Sequence, residues 1–110
     1  MFVTSQGSAY GRFRRALATG NLTIIRAAAA VLPRVGLQDA LEVCLLFREE
    51  AGDRFERAAV RWLGRFALEG RDVTLEAIQR AAAAFDAMPD RPESSMEALA
   101  SLCVEHHVSV

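Results

Sequence analysis

The segment Asp53-Arg54-Phe55-Glu56-Arg57-Ala58-Ala59-Val60-Arg61-Trp62-Leu63-Gly64-Arg65-Phe66-Ala67-Leu68-Glu69 decides how this chain folds. Wound as a helix at about 100° per residue, it places Arg54, Arg57, Arg61 and Arg65 within an arc of about 80°. Phe55, Ala59, Trp62 and Phe66 fall on the opposite side. The segment is an amphipathic helix with an aromatic inner face and a guanidinium outer face. The inner face has to be buried, so the rest of the chain must supply packing partners.

Those partners read as helices. Leu37 to Glu50 contains Val43-Cys44-Leu45-Leu46-Phe47, an apolar run that covers every face of a helical turn and predicts a central helix buried on most sides. The short Ala51-Gly52 link then requires an antiparallel neighbour. Upstream, Ser8 to Thr19 carries Tyr10, Phe13 and Leu17 on one face and ends at Gly20. Asn21 or Thr23 caps a second helix that runs to Leu32, where Pro33 removes the next amide donor. Downstream, Asp72 or Thr74 caps a helix from Leu75 to Met88, with Leu75, Ile78, Ala81, Ala82 and Phe85 inward. After the Pro89-Asp90-Arg91-Pro92 turn, Ser94 or Ser95 caps a sixth helix through His107, with Met96, Leu99, Leu102 and Cys103 inward. No stretch alternates with the period of a strand. The expected fold is all-α, a compact bundle of about six short helices in a single domain over 1–110. Its core is expected to hold Phe13, Leu17, Ile25, Leu41, Cys44, Leu45, Phe55, Trp62, Phe66, Ile78, Phe85, Leu99 and Leu102.

The order of motifs suggests a duplication. Gly11-Arg12-Phe13 recurs as Gly64-Arg65-Phe66, each followed by Ala-Leu and a glycine. Arg26 with Ala27 to Ala30 recurs as Arg80 with Ala81 to Ala84, and each copy precedes a proline-bearing turn. Asp39-Ala40-Leu41 leading to Cys44 matches Glu97-Ala98-Leu99 leading to Cys103. Two three-helix units, 8–52 and 53–107, would produce this order. Chance in an alanine-rich chain is the competing explanation.

Composition narrows the class of function. With 110 residues and 52% hydrophobic content, the chain can bury a single core and is too apolar for a disordered segment. Thirteen basic against 14 acidic residues leave a net charge of −1, which argues against a nucleic-acid coat or a membrane-surface protein. Every basic residue is arginine and 20 residues are alanine, a pairing that suits a GC-rich bacterial genome. Cys44 and Cys103 lie in apolar stretches without a close-spaced partner, as expected in a reducing cytoplasm. The opening Met-Phe-Val-Thr-Ser-Gln-Gly has no charged start or apolar run of a secretory signal, and no run approaches a membrane span. A soluble cytoplasmic protein without membrane contact is the expectation.

Two resemblances are visible. Ala18-Thr19-Gly20-Asn21-Leu22-Thr23-Ile24-Ile25-Arg26 resembles the Gly-Asn-Leu turn that opens a helix in ankyrin-type repeats. It covers under a tenth of the chain, and the Thr-Pro-Leu-His signature of those repeats is missing, so their fold is not carried over. The stretch Arg57 to Glu69 resembles small all-helical proteins of high-GC bacteria, a likeness over most of the chain that implies no activity.

The arginine row is the feature with most chemistry. Guanidinium groups one turn apart can grip carboxylates or phosphates bidentately. The bland alternative is a solvated face tempered by Asp53–Arg57 and Arg65–Glu69 pairs at i,i+4. Charge is also segregated along the chain. Residues 1–35 carry Arg12, Arg14, Arg15, Arg26 and Arg34 with no acid, whereas 72–110 carry seven acids against Arg80 and Arg91. Packing of the terminal helices side by side would neutralise this polarity; head-to-tail association of two copies would do the same between molecules.

Catalytic chemistry has little to stand on. Cys103 with His106 or His107 is the one metal-like cluster, but a zinc site needs three or four ligands and would have to recruit Cys44 or Glu105. A buried cysteine beside a frayed helix end is the plainer reading. There is no Gly-rich phosphate loop, and Gly64 inside its helix suggests close packing. Trp62 among Phe55 and Phe66 reads as core. No catalytic residue, metal ligand or cofactor is therefore assigned. The function expected is a non-enzymatic interaction or adaptor module that binds an acidic protein partner through Arg54, Arg57, Arg61 and Arg65. The alternative is a nucleic-acid-binding accessory subunit that adds Arg12, Arg14 and Arg15; homo-oligomerisation is compatible with either.

Overall fold

The computed structural model describes residues 4–50 and 52–108, with side chains from residue 9 onward. Six helices follow one another: α1 (Thr4–Thr19), α2 (Leu22–Ala29), α3 (Leu37–Phe47), α4 (Arg54–Glu69), α5 (Leu75–Ala87) and α6 (Pro92–Glu105). Among the described residues there is no strand, and the fold is all-α. No helix among them is long and apolar enough to cross a membrane. The opening residues Met1 to Val3, and Ala51 of the expected Ala51-Gly52 link, lie outside the described residues.

The chain divides into two compact units, Met1–Val35 and Gly36–Val110. The boundary falls between α2 and α3, so the suggested halves 8–52 and 53–107 do not follow it. In the first unit α1 packs on α2 through a short turn. Gly20 takes a φ of 69°, and the Asn21 side chain accepts from the amides of Thr23 and Ile24 at 3.0 and 3.2 Å. This is the N-cap the sequence predicts, with the β-region backbone such caps adopt. Phe13, Ala16, Leu17 and Ile25 are buried, whereas Tyr10 is exposed and tilts against the Phe13 ring at 6.5 Å.

In the second unit α3 packs on α4 and α6, α4 on α5, and α5 on α6. One core joins them. The indole N–H of Trp62, half-way along α4, donates to the carbonyl of Leu37 at the start of α3, 2.8 Å away and buried. The Trp62 ring stacks on Phe66 at 5.3 Å and meets the Phe85 ring of α5 edge-on at 5.5 Å. Leu37, Leu41 and Cys44 from α3, and Leu99, Leu102 and Cys103 from α6, complete the interior. Leu45, Phe55 and Ile78, expected in the core, are partly buried and pack against it. The run Val43 to Phe47 is also less enclosed than expected: Cys44 alone is fully buried, because α3 presents one face to α4 and α6.

The inner face of α5 keeps Ala81 and Phe85 of the expected row, with Ile78 packed against the core, but Leu75 does not belong to it. Ala77, Ala81, Ala84, Phe85 and, just past the helix, Met88 are buried, a row at helical spacing made largely of small residues. Leu75, two residues before that row begins, points elsewhere and is 80% exposed. Thr74 caps α5, its hydroxyl accepting from the amide of Ala77 at 3.1 Å. Neither Ser94 nor Ser95 caps α6. That helix starts at Pro92, whose fixed φ suits the first helical position, and Ser95 lies buried within it with its hydroxyl unpartnered.

Gly64 within α4 and Gly70, the residue that ends it, differ in their demands. A Cβ on Gly64 would meet nothing within 4 Å, so the expected close packing is absent there. A Cβ on Gly70 would lie 2.7 Å from Val73 Cγ2 and 3.0 Å from the Phe66 carbonyl oxygen. Gly64→Ala is expected to raise the unfolding free energy by about 0.5–1 kcal/mol, since glycine in a helix interior costs roughly that much. Gly70→Ala is expected to lower it by about 1–3 kcal/mol through overpacking. Urea denaturation of both variants checks the pair; equal effects would contradict this account of the two sites.

Candidate functional site

The outward face of α4 is built by what its inner face requires. With Ala59, Trp62 and Phe66 buried, Arg54, Arg57 and Arg61 are left exposed and Arg65 half-exposed. Acids one helical turn away meet three of the four guanidinium groups. Arg54 lies 3.4 Å from Glu50, Arg57 lies 3.4 Å from Asp53, and Arg65 forms the closest pair, Nε to Glu69 Oε2 at 2.7 Å. A second Arg65 contact to Glu69 Oε1 at 3.4 Å makes that pair fork-like. The Arg57–Asp53 pair is about 70% exposed on both sides, so water screens it and it adds little to stability. Arg61 makes no ion pair or hydrogen bond among the described residues.

An apolar line runs through the same face. Val60, Gly64 and Leu68 are one turn apart, and Val60 is 61% and Leu68 88% exposed. On the helical wheel Leu68 falls between Arg57 and Arg61, and Gly64 and Val60 continue beyond Arg57. The sequence carries this signal, an i, i+4, i+8 spacing that runs from the edge of the arginine arc into it, but reading the arc by charge alone passes over it.

Arg12, Arg14 and Arg15 are exposed on α1 and belong to the first unit, whereas the α4 row belongs to the second. Arg12 and Arg15 border an open, almost wholly apolar groove of about 420 Å³ between α1 and α2. Ala16, Ile24, Ala27, Ala28 and Val31 line it.

The Cys103, His106 and His107 cluster has a structural explanation. His106 Nδ1–H donates to the carbonyl of Arg71 at 2.8 Å, and the amide of Arg71 donates back to the carbonyl of His106 at 2.7 Å. The His106 ring meets Phe66 edge-on at 5.5 Å. This reciprocal pair ties the end of α6 to the α4–α5 link. His107 adopts a φ of 54°, while the amides of His107 and Val108 bond back to Val104 and Cys103. The helix end expected to fray is thus closed by a Schellman turn with histidine in the position glycine usually takes. Among the described residues no group of three or more His, Cys, Asp or Glu side chains converges as metal ligands do.

Neither cysteine is poised as a nucleophile. Burial pushes the Cys103 thiol up from 9.0 to about 11, helped by the Glu69 carboxylate. Burial likewise raises Cys44 to about 11, with a backbone hydrogen bond pulling slightly the other way. A thiol held protonated is a poor attacking group. No known protein family, curated protein or solved structure matches the chain.

The thiols give a pH signature. Between about pH 9 and 11 the unfolded chain releases these protons while the folded chain keeps them, so stability falls as pH rises through that window. Thermal melts from pH 8 to 10.5 are expected to show a steeper fall for the native sequence than for C44A/C103A. Identical slopes would show that the thiols ionise as readily in the folded chain as in the unfolded one.

Proposed function

We propose that this chain is a non-enzymatic interaction module whose α4 outer face binds an acidic protein partner. The observation that carries the reading is the joint exposure of Val60 and Leu68 beside Arg57 and Arg61 on one helix. Arginine with apolar side chains is the composition that favours protein contact, because the guanidinium group binds carboxylates while its stem and the aliphatic neighbours exclude water. Arg61 is the cation available to a partner without breaking an existing pair. The Arg57–Asp53 pair is exposed and weak enough to exchange its carboxylate. His106 is engaged by the Arg71 carbonyl and burial raises both thiols, which fits a contact role better than thiol or imidazole chemistry at that end. The unpaired, buried cysteines suit a reducing cytoplasm, and the arginine-only, alanine-rich composition suits a bacterial source.

The double substitution R57E/R61E separates fold from binding. It is expected to change the unfolding free energy by about 1 kcal/mol or less, because both sites are exposed. Peptides selected from a random display library against the native protein are expected to combine Asp or Glu with apolar residues, and to bind the variant at least tenfold more weakly. Selected peptides without acids, or binding unchanged in the variant, would contradict the proposal. Tight binding of duplex DNA that weakens linearly in log salt would favour the nucleic-acid reading instead.

A further inference from the structure

The boundary between the two compact units is also a charge boundary. Residues 1–35 contain five arginines and no acid, while all 14 acids and eight arginines lie in 36–110, giving +5 and −6. Each unit also presents one apolar feature edged by its own sign of charge. On α2, Ile24, Ala27 and Ala28, with Val31 just past the helix end, form a row at i, i+3, i+4 and i+7 spacing. Ile24 is 48% and Val31 63% exposed, and Arg12 and Arg15 stand beside them. In the second unit an open groove of about 430 Å³ runs between α4 and α5. Phe55, Ala59, Val60, Leu63 and Phe85 are among its lining residues, together with the acids Glu56 and Asp86. Both acids are exposed and make no ion pair among the described residues.

We propose that the α2 row of one copy docks into the α4–α5 groove of a second copy, with Arg15 facing Glu56 and Asp86. The row borders the α1–α2 groove, and its most exposed large members, Ile24 and Val31, are the side chains that enter the α4–α5 groove, which has room for several aliphatic side chains. Opposite charges at the two edges set the orientation and oppose the pairing of like units. The surfaces that meet are different, so the contact is heterologous and each added copy leaves one row and one groove unfilled. The groove and the α4 outer face share Val60, but Arg57, Arg61 and Leu68 lie outside the groove, so this inference uses none of the arginines of the acidic-partner reading.

Sedimentation equilibrium of the full chain at low salt tests it. The native protein is expected to exceed the monomer mass of 12.0 kDa, to grow with concentration and to shrink as salt screens the charges. I24E/V31E spoils the row and E56R/D86R spoils the rim, so each alone is expected to remain monomeric. Mixed in equal amounts, each supplies the surface the other lacks, and the mass is expected to double and stop there. Arg15→Glu, a change of charge alone at an exposed site, is the second route: it is expected to stay monomeric alone and, because the new carboxylate also matches the reversed rim, to restore growth beyond the dimer when mixed with E56R/D86R. Helical circular dichroism checks that all variants fold. A monomeric native protein at millimolar concentration, mixtures that stay monomeric, or variants that still associate alone would each overturn the proposal.

Discussion

The second unit depends on one buried side chain, the indole of Trp62. Its N–H has a single hydrogen bond to give, and burial would leave that donor costly if it were unmet. The Leu37 carbonyl meets it at 2.8 Å, which holds the start of α3 against the middle of α4. The ring itself contacts Phe66 on its own helix and Phe85 on α5. Three helices are therefore indexed to one residue, and α6 closes on them through Leu99, Leu102 and Cys103. Directional bonding and aromatic packing act at the same point, which is why the rotation of α4 about its own axis is well specified.

The surface follows from that rotation. Once Trp62 and Phe66 face inward, geometry alone puts Arg57, Arg61, Val60 and Leu68 outside. The acids one turn from the arginines temper the charge without using all of it, since Arg61 keeps none of them. The same separation of roles recurs at the far end of the unit. His106, Arg71 and the Schellman turn at His107 occupy polar atoms that would otherwise resemble a reactive cluster, and they spend them on joining α6 to the α4–α5 link.

How much of this was legible in the sequence depended on contrast. α4 could be read because aromatic and arginine residues differ sharply in where they can sit, and Asn21 and Thr74 could be read as caps because their chemistry is local. On α5 the pattern places Ala81, Phe85 and Ile78 correctly but not Leu75, because the inner face is mostly alanine, which barely differs from its surroundings, and a large side chain at the helix start suggests burial. Gly64 looked like a packing glycine, but whether a neighbour approaches is not a property of the helix that bears it. Ser94 and Ser95 looked like caps because hydroxyls usually cap, whereas Pro92 had already begun the helix. The His106–Arg71 pair spans 35 residues and no local pattern marks it. Arg54, Arg57 and Arg61 lie outward as the wheel places them and Arg65 is half-covered beside Glu69, whereas a wheel read by charge passes over Val60 and Leu68.

The central claim is that Trp62 sets the packing of α4 and thereby its outer face. Trp62→Phe keeps an aromatic ring, removes the donor to Leu37 and leaves part of the indole volume empty. The lost hydrogen bond and the small cavity together predict a fall in unfolding free energy of about 2–3 kcal/mol. Urea denaturation followed by far-ultraviolet circular dichroism is the measurement, since the substitution also removes the only tryptophan. A midpoint lowered by that amount at unchanged slope is the predicted result; a variant within about 0.5 kcal/mol of the native chain, the range of ordinary surface substitutions, would contradict it.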